Sequence, residues 1–282
     1  MSSISTPSTV AQALSAAVAL GIDRLDAQLL LLHALGRAPR DRAWLLAHDT
    51  DALSDAAWSA LSAQLSRRLT GEPVAYLLGE KEFHGLSLQV DARVLVPRPD
   101  TETLVDWALQ CLEGHVAPRV LDLGTGSGAI ALALQHARPD AQVDAVDASA
   151  DALAVARSNA LRLGLAVRFA QAHWLDGAAN GYTLIASNPP YIATHDPHLP
   201  ALHHEPSAAL VAGADGLDDI RQIVQNAPAH LGEGGWLLLE HGHDQAAPVR
   251  QLLETRGFAD VQSRDDLAGI QRCSGGIWRT VK

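Results

Sequence analysis

Residues 119–128 limit the possible folds of this chain more than any other stretch. Arg119-Val120-Leu121-Asp122-Leu123 is a short apolar run broken by one carboxylate, and Gly124-Thr125-Gly126-Ser127-Gly128 follows it directly. An Ala-rich helical stretch begins near Ala129. Glycines are needed where a backbone turns sharply or must let a ligand approach closely. A strand, a glycine turn and a helix in that order open a βαβ nucleotide-binding unit. The downstream pattern agrees. After Arg119 to Leu123, candidate strands fall at Gln142 to Asp147, Val167 to Gln171, Leu184 to Ser187 and Gly235 to Glu240, and Ala-rich helical stretches separate the first three of these five. This alternation predicts an α/β, Rossmann-like domain, an open and mainly parallel sheet with helices on both faces. The stretch around 277 to 281 is assigned a closing strand, at an edge or in a hairpin.

The glycine spacing narrows the ligand. A phosphate-binding loop reads G-x-G-x-x-G. Here Gly124, Gly126 and Gly128 give G-x-G-x-G, with Asp122 two positions upstream. That variant suits S-adenosylmethionine, which carries a sulfonium and an amino acid tail in place of a pyrophosphate. Nearby carboxylates such as Asp122 then help and do not repel. Asp147 ends the second strand, roughly 20 residues past the loop, where a carboxylate can accept from ribose hydroxyls. It can equally cap the helix that begins at Ser149.

Leu184-Ile185-Ala186-Ser187 runs into Asn188-Pro189-Pro190-Tyr191. A buried strand therefore ends in a rigid turn at the carboxyl edge of the sheet, where ligands bind in such folds. The Asn188 side-chain carbonyl and the Pro189 backbone carbonyl are two acceptors for the two N–H bonds of a substrate NH2. Pro189 and Pro190 fix them, and Tyr191 offers a flat face for a planar amide or base. An amide or aromatic amine is a weak nucleophile, so the motif acts by holding nitrogen in line with a methyl sulfonium. No general base is nominated.

The first eighty residues read as helices. Val10, Leu14 and Val18 with Ala13 and Ala17 make one stripe; Leu25, Leu29 and Leu32 follow an Asp23 cap and stop near Gly36. Trp44 to Leu46 mark a short third helix. A fourth, capped by Ser54, carries Trp58, Leu61, Leu65 and Leu69. Alternation at Leu86, Leu88 and Val90, then Val94-Leu95-Val96, predicts a hairpin. The expected organisation is a helical domain over 1–80, a β-hairpin linker over 81–99 and the cofactor domain over 100–282. Arg98 and Glu102 are a candidate ion pair bracing that junction.

The net charge of −11 disfavours bulk attraction to a nucleic acid backbone, and there is no zinc-finger spacing or basic tail. No apolar run approaches a membrane span, and the first residues carry no secretory signal. Cys111 and Cys273 lie far apart, which agrees with a reduced, cytoplasmic setting. The histidines at 198, 203 and 204 read as solvated loop residues, and no metal is expected.

The motifs together resemble the HemK family of release-factor glutamine methyltransferases over nearly the whole chain. Asp122 to Gly128 is similar to that family's cofactor loop, and Asn188-Pro189-Pro190-Tyr191 is identical to its substrate motif. Pro73 to Gly79, Phe83 with Gly85, Glu205-Pro206 and Leu239-Glu240-His241-Gly242 also agree. Pro97-Arg98-Pro99-Asp100-Thr101-Glu102 discriminates best, because Asn-Pro-Pro-Tyr occurs in adenine-N6 DNA methyltransferases too. The resemblance implies a class I methyltransferase domain joined through the hairpin to the small helical bundle. It implies methylation of the side-chain nitrogen (N5) of the Gly-Gly-Gln glutamine in class-one release factors. Asn188, Pro189, Pro190 and Tyr191 would be the catalytic set. Gly124, Thr125, Gly126, Ser127, Gly128, Asp147, Trp174 and Asn188 would bind S-adenosyl-L-methionine. A monomer with a release factor as partner is expected, without membrane or direct nucleic acid binding. Two positions depart from the pattern: His173 stands where an acidic residue is usual, and Thr183 stands where Asp is. Thr183 reads as a surface change. The competing readings are an adenine-N6 nucleic acid methyltransferase and a non-catalytic S-adenosylmethionine-binding module. An NAD-dependent dehydrogenase fits the glycine spacing less well.

Overall fold

The structure, a computed structural model, describes residues 7–279. The chain divides between residues 80 and 81 into two compact units.

The first unit is helical: α1 (Val10–Ala19), α2 (Arg24–Ala34), α3 (Arg42–Ala47), α4 (Asp55–Leu69) and α5 (Val74–Leu78). Its starts follow the local chemistry. Thr9, Asp23 and Ser54 each accept a hydrogen bond from a first-turn N–H of α1, α2 and α4. The core faces differ in part from the expected stripes. α1 buries Val10, Ala13 and Ala17 and leaves Val18 exposed; α2 buries Leu30, Leu31 and Leu32 and leaves Leu25 exposed. Leu46 and Leu69 are exposed as well.

The second unit opens on a hairpin, β1 (Glu80–Phe83) and β2 (Leu86–Gln89). It turns at His84 and Gly85, whose φ values are 48° and 79°, the left-handed pair that a two-residue hairpin needs. The expected pairing with Val94 to Val96 does not form. Those residues follow a turn closed by Val94 N–H to Asp91 C=O, and Pro97 and Pro99 behind them lack donors.

The order then runs α6 (Glu102–Cys111), β3 (Arg119–Leu123), α7 (Ala129–Ala137), β4 (Gln142–Asp147), α8 (Ala150–Leu163), β5 (Arg168–Gln171), β6 (Tyr182–Ser187), α9 (Asp218–Asn226), β7 (Leu231–Glu240), α10 (Ala246–Arg256), β8 (Ala259–Asp265) and β9 (Gln271–Ile277). Seven strands form one sheet in the order β5-β4-β3-β6-β7-β9-β8. β3 to β7 are parallel, and β9 is antiparallel to both neighbours. Each strand serves two cores. Val120, Leu184 and Leu238 pack among α6 and α7; Leu121, Ile185 and Leu237 pack among α9 and α10. The closing strand lies inside the sheet, not at its edge, paired antiparallel with β8, and it ends at Ile277; residues 280–281 of the expected stretch lie outside the described residues. The edge belongs to β8, whose Ala-Asp-Val-Gln-Ser-Arg-Asp sequence hides its strand character.

The chain steps from β3 to β4 to β5 on one side and resumes with β6 on the other. This reversal opens a crevice beyond the carboxyl ends of β3 and β6, where doubly wound sheets bind ligands. The glycine loop, Asp147 and Asn188 all leave the sheet at that edge.

Candidate active site

β3 passes into the loop with its backbone tied down. The N–H groups of Gly124 and Thr125 both donate to Val146 C=O at 2.9 Å. Asp122 lies beneath the loop, fully buried. Its Oδ2 accepts from Thr125 Oγ1 at 2.7 Å and from Ala131 N–H at 3.1 Å, while Oδ1 has no hydrogen-bond partner. Burial pushes this carboxyl up to about 7. Asp122 therefore shapes the loop from below and does not line the cavity above it. Gly128 closes the loop against α7 at φ 87°, and a Cβ there would come within 2.9 Å of Leu132.

Above the loop is a cavity of about 480 Å³. Gly124, Gly126, Asp147, Trp174, Asn188 and Pro190 line it, with Arg93 and His173 at the same cavity. Thr125, Ser127, Gly128, Pro189 and Tyr191 are not among the lining residues. Thr125 and Ser127 are buried and support the loop, the former through Asp122 and the latter by its carbonyl, which accepts from Asn159 Nδ2. A larger groove between α9 and α10 contains none of these groups.

The polar groups around the cavity suit a nucleoside with a cationic tail. Asp147 Oδ2 accepts from Gly126 N–H at 2.9 Å and Oδ1 accepts from Ser149 N–H at 2.8 Å. Each carboxylate oxygen keeps a lone pair for a hydroxyl. Asp147 thus ties the loop to the residues before α8, but it does not cap that helix: the cap is Ser149, whose hydroxyl accepts from Ala152 N–H. A Cβ on Gly126, at φ 54°, would meet nothing within 4 Å, so the backbone leaves open room beside Asp147. Trp174, at φ 48°, sets its ring 3.1 Å from where a Gly124 Cβ would stand. The residues fit S-adenosylmethionine: a carboxylate for the ribose, a bare backbone beneath, and an aromatic wall.

Asp219, on the first turn of α9, completes this wall. It accepts from Trp174 Nε1 at 3.2 Å, and its burial raises the carboxyl above the usual range. Sequence reading missed it; its signal was the Asp218-Asp219 pair after Gly216. His173 packs edge-on to Trp174 with ring centroids 5.7 Å apart. Thr183 is half-buried in β6, and its Oγ1 accepts from Arg119 N–H at 3.3 Å, so the side chain has a role in joining β3 to β6.

Asn188 follows β6. Its Nδ2 donates to Thr101 Oγ1 at 3.2 Å, and no described residue donates to its Oδ1. The amide is therefore held with one end engaged and an acceptor left over. Tyr191 points inward, its Oη 3.4 Å from Glu240 Oε1. Burial carries the phenol above its ordinary range.

The candidate pair of Arg98 with Glu102 does not form. Arg98 bonds to Glu205, and Glu205 also accepts from Val96 N–H at 3.1 Å. Glu102 instead accepts from His84 N–H at 3.0 Å, bracing the hairpin turn. Glu205 is buried and so ties the segment after the substrate motif to residues 96–98.

The methyltransferase small domain matches residues 102–210, and the PrmC N-terminal domain matches residues 8–79. A release factor glutamine methyltransferase of Bordetella pertussis is 52% identical over 263 residues, 91% of this chain and 95% of that protein. One from Burkholderia pseudomallei is 48% identical over 96% of both. Among solved structures, a methyltransferase from Pyrococcus furiosus shares the fold at TM-score 0.54, with 18% identity over 78% of this chain and all of that one.

Proposed function

This chain belongs to the release factor glutamine methyltransferases, and from that premise we propose that it transfers a methyl group from S-adenosyl-L-methionine to N5 of the Gly-Gly-Gln glutamine of class-one release factors. One observation carries the reading: Asn188, with Oδ1 left over as an acceptor, shares a cavity with Asp147 and Gly126.

Asp147, Gly126 and Trp174 hold the cofactor in this reading, and Thr125, Ser127 and Gly128 keep the loop in shape. When bound, the cofactor supplies an electrophilic methyl on a sulfonium. Asn188 Oδ1 and the Pro189 carbonyl accept the two N–H bonds of the glutamine amide. That fixes the plane of the NH2 group and directs the nitrogen toward the methyl. The two prolines stiffen the turn that carries both acceptors. After transfer the nitrogen is acidic and loses its proton without a dedicated base. Tyr191 braces the motif from behind. We assign the helical domain to 1–80, the hairpin linker to 81–99 and the transfer domain to 100–282. The reading places the enzyme in the cytoplasm as a monomer. Among the described residues no helix is long and apolar enough to cross a membrane.

The test offers purified protein and labelled cofactor three acceptors: an unmodified release factor, the same factor with that glutamine changed to alanine, and unmethylated DNA. Label on the intact factor alone is expected. Label on DNA moves the assignment to adenine N6, and bound cofactor with no transfer favours a non-catalytic module.

A further inference from the structure

Gln245 stands just before α10 and is buried, with 9% of its surface exposed. Both ends of its side-chain amide are engaged. Oε1 accepts from Gly242 N–H at 2.8 Å. Nε2 donates to Tyr191 C=O at 3.0 Å and to Asp215 C=O at 3.2 Å. These partners dictate the orientation of the amide, because a backbone N–H only donates and a carbonyl only accepts. Two glycines make room for it. Gly216 has φ 76°, and a Cβ there would collide with Tyr191 C=O and stand 2.8 Å from Gln245 Nε2. A Cβ on Gly242 would stand 3.0 Å from Gln245 Oε1. The Gln245 backbone N–H donates to Gly242 C=O at 3.0 Å, so the loop after β7 holds both the backbone and the side chain of Gln245.

We propose that Gln245 is a positioning residue: it clamps the exit of the substrate turn, Asn188 to Tyr191, and so keeps Asn188 Oδ1 and the Pro189 carbonyl aimed at one nitrogen. The proposal rests on the roles given to those two acceptors above. The turn enters from β6, where Ser187 Oγ donates to Leu123 C=O at 2.8 Å. Pro189 and Pro190 have no N–H with which to tie it down, and they fix their own φ but not the peptide plane after Tyr191. The far end of the turn must therefore be held from outside. Gln245 does this at Tyr191 C=O, and the next residue helps through Ile192 N–H to Leu210 C=O at 2.8 Å. The second Gln245 bond reaches Asp215, in the segment that leads into α9, and α9 carries Asp219, the partner of Trp174. One amide thus spans the substrate turn and the root of the cofactor wall.

The pair of carbonyls explains why an amide stands at this position. Two acceptors side by side repel each other, and a single NH2 has one proton for each. A carboxyl of the same shape does not replace it. Ionised, it has no proton to give and turns negative charge on both carbonyls; protonated, it serves one of them. Burial and the two carbonyl dipoles drive such a carboxyl toward its protonated form. Gln245→Glu therefore carries a titration of the clamp that the wild type lacks. Methionine keeps the length and packing of the side chain and donates nothing. Gln245 is not among the residues that line the cavity, so either change leaves the cofactor contacts in place.

Gln245→Met is the first variant to measure. Its kcat should fall on the order of 10- to 100-fold, the effect of acceptors displaced by up to an ångström. Kd for the cofactor, by calorimetry, and KM for the release factor should stay within about threefold, because alignment is lost and ground-state binding is not. In Gln245→Glu the ratio of its kcat to the wild-type kcat should climb as pH falls from about 9.5 to about 5.5, while the carboxyl takes up the proton it gives to one carbonyl. Wild-type kcat in Gln245→Met, a loss carried by KM alone, or a flat ratio in Gln245→Glu overturns the proposal. A substrate-free measurement separates it from the assigned reaction. Ile192 and Thr194 donate their N–H groups to Leu210 and Gly213 C=O, and their hydrogen exchange should quicken about tenfold in Gln245→Met while β3 keeps its protection. Unchanged exchange at both residues overturns the clamp even if the protein methylates its release factor. Quickened exchange supports the clamp even if the substrate is another protein, and the assigned reaction then fails alone.

Discussion

The two units of this chain bury different chemistry. The helical unit closes over aliphatic side chains, among them Val10, Leu30, Leu31, Leu61 and Leu65. Its buried polar side chain is Gln64, whose Nε2 lies 2.6 Å from His33 Nδ1. The sheet unit has aliphatic cores on both faces, yet it also buries Asp122, Asn159, Ser187, Glu205, Glu240 and His241. Buried polar groups cost free energy unless they are hydrogen-bonded, so a core built for stability alone avoids them. Asp122, Ser187 and Glu240 gather at the carboxyl ends of β3, β6 and β7, next to the loop and Asn188. The contrast locates function: one unit spends its interior on packing, the other holds polar groups against their tendency to hydrate.

The sharpest way to break this contrast is Asn188→Ala. Under the proposed mechanism it removes a preorganised acceptor, a loss on the order of 10²- to 10³-fold in kcat. Cofactor affinity by calorimetry and the unfolding midpoint should barely move. A near-wild-type rate would remove Asn188 from the reaction. Leu31→Ala tests the other side. It deletes packing from a fully buried site in the helical unit and should cost about 3 kcal/mol of stability in denaturant titration. Its effect on kcat should be small while the protein stays folded. Asp147→Ala comes next. It takes away a charge-assisted acceptor and should weaken cofactor binding by about 2 kcal/mol, read by calorimetry. Unchanged affinity would exclude Asp147 from the ribose site. The Gly126 and Ser149 N–H groups lose their acceptor as well, so part of the loss is loop order.

What the sequence disclosed follows the same division. β3 could be read to its ends because a strand buried on both faces is a near-continuous apolar run, and β4 because Val143, Ala145 and Val146 stand between polar Gln142 and Asp147. The loop, Asp147 and Asn188 were legible because glycine, carboxylate and proline leave local signatures at strand ends. Partnerships across long separations were not. Asn188 and Thr101 are 87 residues apart, and Val96 and Glu205 are 109 apart; no spacing rule links them. Asp219 was not singled out, because Trp174, the partner that brings it to the cavity, stands 45 residues away. Glu240 sat inside a recognised motif without a role, since only its burial beside Tyr191 gives it one. β8 was invisible because a half-exposed edge strand needs no alternation.

The smallest predicted effect concerns Asp122, and its sign follows from burial. Folding raises this carboxyl from an ordinary 3.8 to about 7. The folded protein thus holds a proton that the unfolded chain releases. That contribution to stability is complete below 3.8, declines as pH rises through the window to about 7, and is gone above it. Glu240 adds a component of the same sign between 4.5 and about 7. The unfolding temperature should therefore fall between pH 5 and pH 8. Asp122→Asn removes one component and should shrink that fall by about 2–4 °C, the shift that ~1 kcal/mol makes in a domain of this size. The remaining slope is shared by Glu240 and Asp219 against an opposing part from His241, whose imidazole burial holds below its usual range, and it should shrink again when Glu240→Gln is added. A slope unchanged by Asp122→Asn would mean that the Asp122 charge does not enter the folding balance, and that Thr125 Oγ1 and Ala131 N–H stabilise the carboxylate as well as water does.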